Sequence, residues 1–148
     1  MLFRSEAYHY TKNYTESDKY FDKALKLEPK NAVTLNNYAY YLSLRNENLE
    51  KAEAMSKLSN EISVDNSTYE DTYAWVLYVM KRYEDAKTWI EKAIAHGGDQ
   101  SGTIVEHYGD ILYKLNRPAD AVEQWKKARQ LGDASEQIDL KITGQKIF

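Results

Sequence analysis

No cysteine occurs among the 148 residues, which removes disulfides, thiolate zinc sites and cysteine nucleophiles together and leaves the redox compartment open. Only two prolines occur, Pro29 and Pro118, and each falls where a helix is expected to end or begin. No stretch approaches the roughly 18 consecutive apolar residues needed to span a membrane as a helix. Basic residues form no run, and 20 Lys+Arg against 23 Asp+Glu leave a net charge of -3. Nothing in that balance tracks a phosphate backbone, so nucleic acid is not an expected partner. Phenylalanine is scarce, at 3 against 13 tyrosines, which places aromatic surface where one end can stay wet. Met1-Leu2-Phe3-Arg4-Ser5-Glu6 has neither the basic region nor the apolar stretch of a secretory signal. As it stands the chain reads as cytoplasmic, or as periplasmic or lipid-anchored if an upstream signal has been removed.

What the sequence has in abundance is repetition. The segment Ser17 to Ala24 reappears in form as Ala52 to Ser59, Ala86 to Ala93 and Ala121 to Ala128, at intervals of 35, 34 and 35 residues. Both ends of the segment keep those intervals, which means duplication of a structural unit. Each unit reads as two helices, because apolar positions such as Leu35, Tyr38, Ala39 and Leu42 recur at helical spacing and no stretch alternates like a strand. The first helices are expected over 2–12, 32–45, 68–80 and 102–115, and the second over 15–27, 49–62, 84–95 and 118–131. Asn13 with Glu16, and Ser67 with Glu70, have capping-box spacing, Asn31 can cap the helix after it, and Gly97-Gly98 and Gly132 sit where helices stop. Connections this short force neighbouring helices antiparallel. The units fall at 1–31, 32–66, 67–101 and 102–133, and a short capping helix is expected over 135–142 with Ile138 and Ile142 on one face. Met1 falls inside the first helix of the first unit, as if the array began mid-repeat, and Ile147-Phe148 has no obvious place.

The fourth unit carries Val105, Tyr108, Gly109, Leu112, Ala121, Trp125 and Ala128, and the third carries Tyr73, Ala74, Leu77, Tyr83, Ala86, Ile90 and Ala93. The second keeps Leu35, Tyr38, Ala39, Leu42, Leu49 and Ala52 but has Ser56 and Ser59 where an aromatic and an alanine are usual, and one extra residue between its helices. The first keeps Tyr8, Tyr14, Phe21, Ala24 and Pro29, with Ser17 in place of alanine and Arg4 at an apolar position. Over residues 1–131 this pattern resembles the tetratricopeptide repeat (TPR). The resemblance implies an all-α fold: a right-handed superhelix of four helix pairs plus the capping helix, acting as a non-enzymatic scaffold for protein–protein interaction. Asn36 to Leu42 with Asn48 to Ala52, Asp71 to Tyr78 and His107 to Asp110 look like the carboxy-terminal repeats of bacterial TPR proteins. Several of those are exported or lipid-anchored and serve in envelope assembly.

In a TPR stack the first helices line a concave face, and residues at i, i+4 and i+7 on one side of each point into it. Those triplets are Leu2, Glu6 and His9; Asn36, Tyr40 and Ser43; Asp71, Trp75 and Tyr78; and Glu106, Asp110 and Tyr113, with Asn37 beside Asn36. One reading is a groove for a protein or peptide ligand, basic or aromatic, in which Tyr40, Trp75 and Tyr78 are anchors and Asp71, Glu106 and Asp110 select a basic or amine-bearing partner. The other is that the rings pack between repeats and the carboxylates form a solvated face, and the spacing suits both equally. A clamp for a partner's terminal carboxylate is disfavoured, because Asp71, Thr72, Glu106 and His107 stand where cations would be expected. Glu106, His107 and Asp110 lie within one helical turn, but three hard ligands make a weak metal signal, and no cofactor is expected. Gly97 to Gly102 follows no strand and lacks a P-loop lysine, so it reads as a turn. No nucleophile, base and oxyanion donor assemble into an enzyme site. Leu2, Phe3, Ile147 and Phe148, apolar at the two ends, leave self-association into a homo-oligomer as the alternative function.

Overall fold

A computed structural model describes residues 13–148. Among them are eight α-helices and one short 3-10 turn, with no strand. The expected helix over 2–12 lies outside the described residues. The chain divides into two compact units, 1–64 and 65–148.

In the first unit, α1 (Tyr14–Leu27), α2 (Ala32–Arg45) and α3 (Leu49–Ile62) follow one another. Asn13 and Asn31 cap α1 and α2, their side chains accepting from the N–H of Glu16 at 3.4 Å and of Thr34 at 3.0 Å, so orphan amides at each start are satisfied. Phe21, Tyr38, Ala39, Leu42 and Ala52 form the buried centre, where the Phe21 and Tyr38 rings stack at 4.9 Å. Ser56 and Ser59, the two departures from the pattern, are both fully buried. Ser59 donates to the carbonyl of Ser56 at 2.8 Å.

The extra residue of this unit is absorbed by the helix and not by the turn. α2 runs six residues beyond Ala39, to Arg45, whereas the equivalent helices of the other unit stop five residues beyond Ala74 and Gly109. The turn keeps three residues but changes form, with Asn46 and Asn48 both left-handed at φ 54° and 47°. Asparagine tolerates that region better than most residues. The added residue is put to use: Arg45 Nη2 donates to both carboxylate oxygens of Asp18 at 2.9 and 2.8 Å, tying the end of α2 to α1.

The second unit holds two antiparallel pairs, α4 (Ser67–Val79) with α5 (Tyr83–Ala95), and α6 (Gly102–Lys114) with α7 (Pro118–Leu131). The 3-10 turn Gly98–Gln100 joins them, and α8 (Ile138–Gly144) packs against α7. Pro118 occupies the first turn of α7, and Gly132 ends it at φ 92°, a conformation open to glycine without strain. Two sequence expectations shift. The cap of α4 is Asn66 and not Ser67, because the Asn66 side chain accepts from the Tyr69 N–H at 3.1 Å. The capping helix begins at 138 and not 135, because the N–H and hydroxyl of Ser135 are drawn to Glu106 instead of opening a helix. Ile147 does find a place, packed against the cluster of Val105, Leu112, Ala121, Trp125, Ala128 and Ile138.

Small residues mark the crossings. Ala74, Ala86 and Ala93 between α4 and α5, and Ala121 and Ala128 on α7, are fully buried, as helices approaching to roughly 8–10 Å require. At Gly109 the approach is close: a Cβ there would lie 2.5 Å from both Cδ1 and Nε1 of Trp125. Alanine at a helical position gains about 1 kcal/mol of propensity over glycine. Displacing a fully buried indole costs about 1–3 kcal/mol, and its hydrogen bond is strained as well. Gly109→Ala is therefore expected to destabilise the protein on balance. Urea unfolding with an unchanged or higher midpoint would contradict the packing described.

Candidate functional site

The first helices carry the candidate residues, and the two units are taken separately. Glu6 and His9, with Leu2, lie outside the described residues. In the first unit Asn36 is buried and donates to Asn37 Oδ1 at 3.3 Å, while Tyr40 is half-buried. In the second unit Trp75, Tyr78 and Tyr113 are half-buried, but Asp71, Glu106 and Asp110 are buried.

Each of those carboxylates meets a basic side chain from the helix one repeat later. Asp71 Oδ1 on α4 lies 2.8 Å from His107 Nδ1 on α6. The His107 ring stacks on Trp75 with centroids 4.0 Å apart and planes 21° apart, and Tyr78 stacks on the same indole at 4.4 Å and 14°. Two rings at those distances cannot lie side by side on one face, so the indole is sandwiched and only its edge is free. Burial works against a charge on His107, yet Asp71 at hydrogen-bond distance, with Asp110 and Glu106 farther off, raises its pKa above the ordinary 6.5. An imidazolium over an indole face adds a cation–π attraction.

One repeat further on, the same places are occupied by a different chemistry. Asp71 and Trp75 correspond by register to Glu106 and Asp110, and His107 to Lys141 on α8. Lys141 Nζ donates to Glu106 Oε2 at 2.7 Å and to the two Asp110 oxygens at 2.9 and 3.0 Å. All three side chains are 5–7% exposed. Glu106 also accepts from the N–H and hydroxyl of Ser135, and Asp110 from Trp125 Nε1 at 3.0 Å. One ammonium cannot fully compensate two carboxylates, and they divide unequally. Burial pushes both up, but Lys141 and Ser135 hold Glu106 below the usual carboxylate value, whereas Asp110 is raised despite Lys141.

The expectation that Asp71, Glu106 and Asp110 face a ligand or solvent is corrected here: their oxygens are spent on His107, Lys141, Ser135 and Trp125. For the same reason Glu106, His107 and Asp110 do not converge as metal ligands. Sequence reasoning missed Lys141, whose signal was its place one register step beyond His107. It also missed His96, whose Nδ1 lies 2.8 and 2.9 Å from the two oxygens of buried Glu70 and whose Nε2 lies 3.5 Å from Asp65. Asp65, Glu70 and His96 bring donor atoms within 4.8 Å of one another, and the hydrogen bond to Glu70 raises the His96 pKa. The His96 ring already engages both carboxylates, through its hydrogen bond to Glu70 and its approach to Asp65.

The raised His107 pKa gives stability a definite pH dependence. The folded state binds this proton more tightly than the unfolded chain, so the contribution is full below about 6.5 and is lost as pH rises through the folded value. Asp71→Asn removes the main group holding the proton. An NMR titration of the His107 imidazole should show its pKa fall in that variant, and identical titration curves would refute the pairing.

Two sequence models of the tetratricopeptide repeat match the chain, at residues 20–54 and 1–31. No curated protein matches it by sequence. Among solved structures it is similar to PilF of Pseudomonas aeruginosa, with a TM-score of 0.82 at 20% identity over 95% of this chain and 64% of that one. A tetratricopeptide repeat protein from Parabacteroides merdae gives 0.83 at 19% over 97% and 56%. YrrB, described as a TPR protein with an unusual peptide-binding site, gives 0.69 at 26% over 84% and 63%. The chain thus spans 56 to 64% of the length of these three. Helix pairs at a 34-to-35-residue period, small residues at the crossings and these matches agree: the chain is a tetratricopeptide repeat protein, an all-helical scaffold of the kind used for protein–protein interaction.

Proposed function

We propose that residues 1–148 act as one repeat array that binds a peptide segment of a partner protein along its first helices, without catalysis. The observation that carries this reading is the half-buried rings, Tyr40 in the first unit and, in the second, Trp75 with Tyr78 and with Tyr113 one sequence repeat after Tyr78. Rings that are partly covered by protein are held rigid, so a ligand that covers the remainder meets little entropic cost. Because Asp71, Glu106 and Asp110 are internally paired, the proposed groove selects for apolar and aromatic side chains more than for basic ones. The description of YrrB as having a peptide-binding site supports ligand binding on this type of fold. The resemblance of Asn36 to Ala52 to exported or lipid-anchored bacterial repeats supports a setting in envelope assembly.

Self-association is the second reading, favoured by two exposed apolar side chains, Leu140 at 55% and Phe148 at 54%. Sedimentation that finds only monomer at high concentration would remove it. Groove binding is tested by selecting random peptides on the immobilised chain and measuring the winners against Tyr113→Ala and Tyr40→Ala. Both variants are expected to keep their helical signal and to lose at least about tenfold in affinity, the range of an aromatic anchor. Peptides that bind both variants as tightly as the parent would place the ligand elsewhere.

A further inference from the structure

We propose that the acidic seat formed on α6 by Glu106 and Asp110 is a receptor for a lysine-bearing helix, and that α8 is its resident occupant in cis. The partner it fits is an amphipathic helix with a lysine three residues after one aliphatic side chain and directly before another, the order of Ile138, Lys141 and Ile142. This rests on the interaction-scaffold reading above but uses different residues from the aromatic row.

Three observations carry it. The seat is specific for an ammonium group: three carboxylate oxygens accept from Nζ within 3.0 Å, and the Trp125 indole fixes the orientation of Asp110. An apolar or acidic side chain there would leave two buried carboxylates without a countercharge. The apolar half of the seat is equally defined, since Ile138 belongs to the buried cluster that includes Val105, Leu112 and Trp125, and Ile142 packs against that cluster. The occupant, finally, is held by little else: an exposed ion pair of Asp139 with Arg129 and the packing of Ile147 on the same apolar cluster. α8 has seven residues, far short of the length at which a helix holds itself together in water. Gly132 to Gln137 before it is non-helical, and Leu140 on its outer side is exposed. Its place is therefore set by the seat, and by the high local concentration that a short tether provides.

The same logic explains why the seat would be closed in the isolated chain. A helix in trans with the same contacts must displace one already tethered beside the site, so its apparent affinity is low until α8 is loosened.

The test uses the full chain and a labelled peptide of residues 135–148. Binding is measured by fluorescence anisotropy to the wild type and to an Ile138→Ser/Lys141→Ala variant, whose own α8 has lost both anchors. The peptide is expected to bind the variant at least about tenfold more tightly than the wild type. The same peptide carrying Lys141→Ala should lose at least that factor. A variant that keeps its helical circular dichroism and yet binds no peptide overturns the proposal, as does binding indifferent to the peptide's lysine. Should the double variant unfold, Ile138→Ser alone leaves the charges paired while weakening the apolar anchor, and the same two outcomes decide. Failure here would leave the Tyr40 and Tyr113 measurements standing, and failure there would leave this one.

Discussion

The second unit depends on one constraint: a buried carboxylate on a first helix must be met by a basic side chain from the helix one repeat later. Taking a carboxylate out of water costs several kcal/mol even after relaxation, so Asp71, Glu106 and Asp110 cannot remain in place alone. His107 and Lys141 answer them at 2.7–3.0 Å. Such pairs add little net stability compared with apolar packing of equal volume, but removing one partner costs about 3–5 kcal/mol. Their consequence is therefore registry. Alanine crossings let two helices slide or rotate by small amounts with modest loss, whereas a cation displaced by one residue leaves its carboxylate bare.

The same requirement orders the end of the unit. A seven-residue helix gains almost nothing from its own backbone, yet α8 is held because Lys141 is needed beneath it and because Ser135 completes the coordination of Glu106. Trp125 links the two kinds of constraint. Its indole fills the space that Gly109 leaves, which is packing, and its Nε1 donates to Asp110, which is electrostatics. Replacement of the indole by another large apolar group would preserve the first and lose the second.

The fold was legible in the sequence to within a residue or two for seven of the helices, since period, alanine spacing and the Asn31 and Pro118 signals all act locally or within one pair. The surface was less legible. Register placed Asn36, Asp71, Glu106 and Asp110 on the side of the first helix that faces away from its own second helix, yet Asp110 also accepts from Trp125 on that second helix. What a helical wheel cannot say is whether the next repeat arrives to cover that side. Residues 36 apart and 35 apart, such as Asp71 with His107 and Glu106 with Lys141, carry no short-range pattern. Read one at a time, an aspartate, a glutamate and a lysine look like solvated charges. The onset of α8 was misplaced for a related reason: Ser135 looks like the start of a helix locally, and a carboxylate 29 residues away claims it.

The irregular second repeat follows the same rule by another route. Its first helix has an amide, Asn36, where the later ones have carboxylates, so no cation is called for at that position. Its ionic tie is placed instead at the end of the helix, where the residue that breaks the period becomes Arg45 and reaches Asp18 on α1. Had the insertion lengthened the turn, the result would have been a looser connection. Because it lengthened the helix, the two left-handed asparagines close a turn of the same length and the added residue carries a nearly buried guanidinium to its partner. In this repeat the buried charge thus sits at the end of the first helix, with an amide on its face.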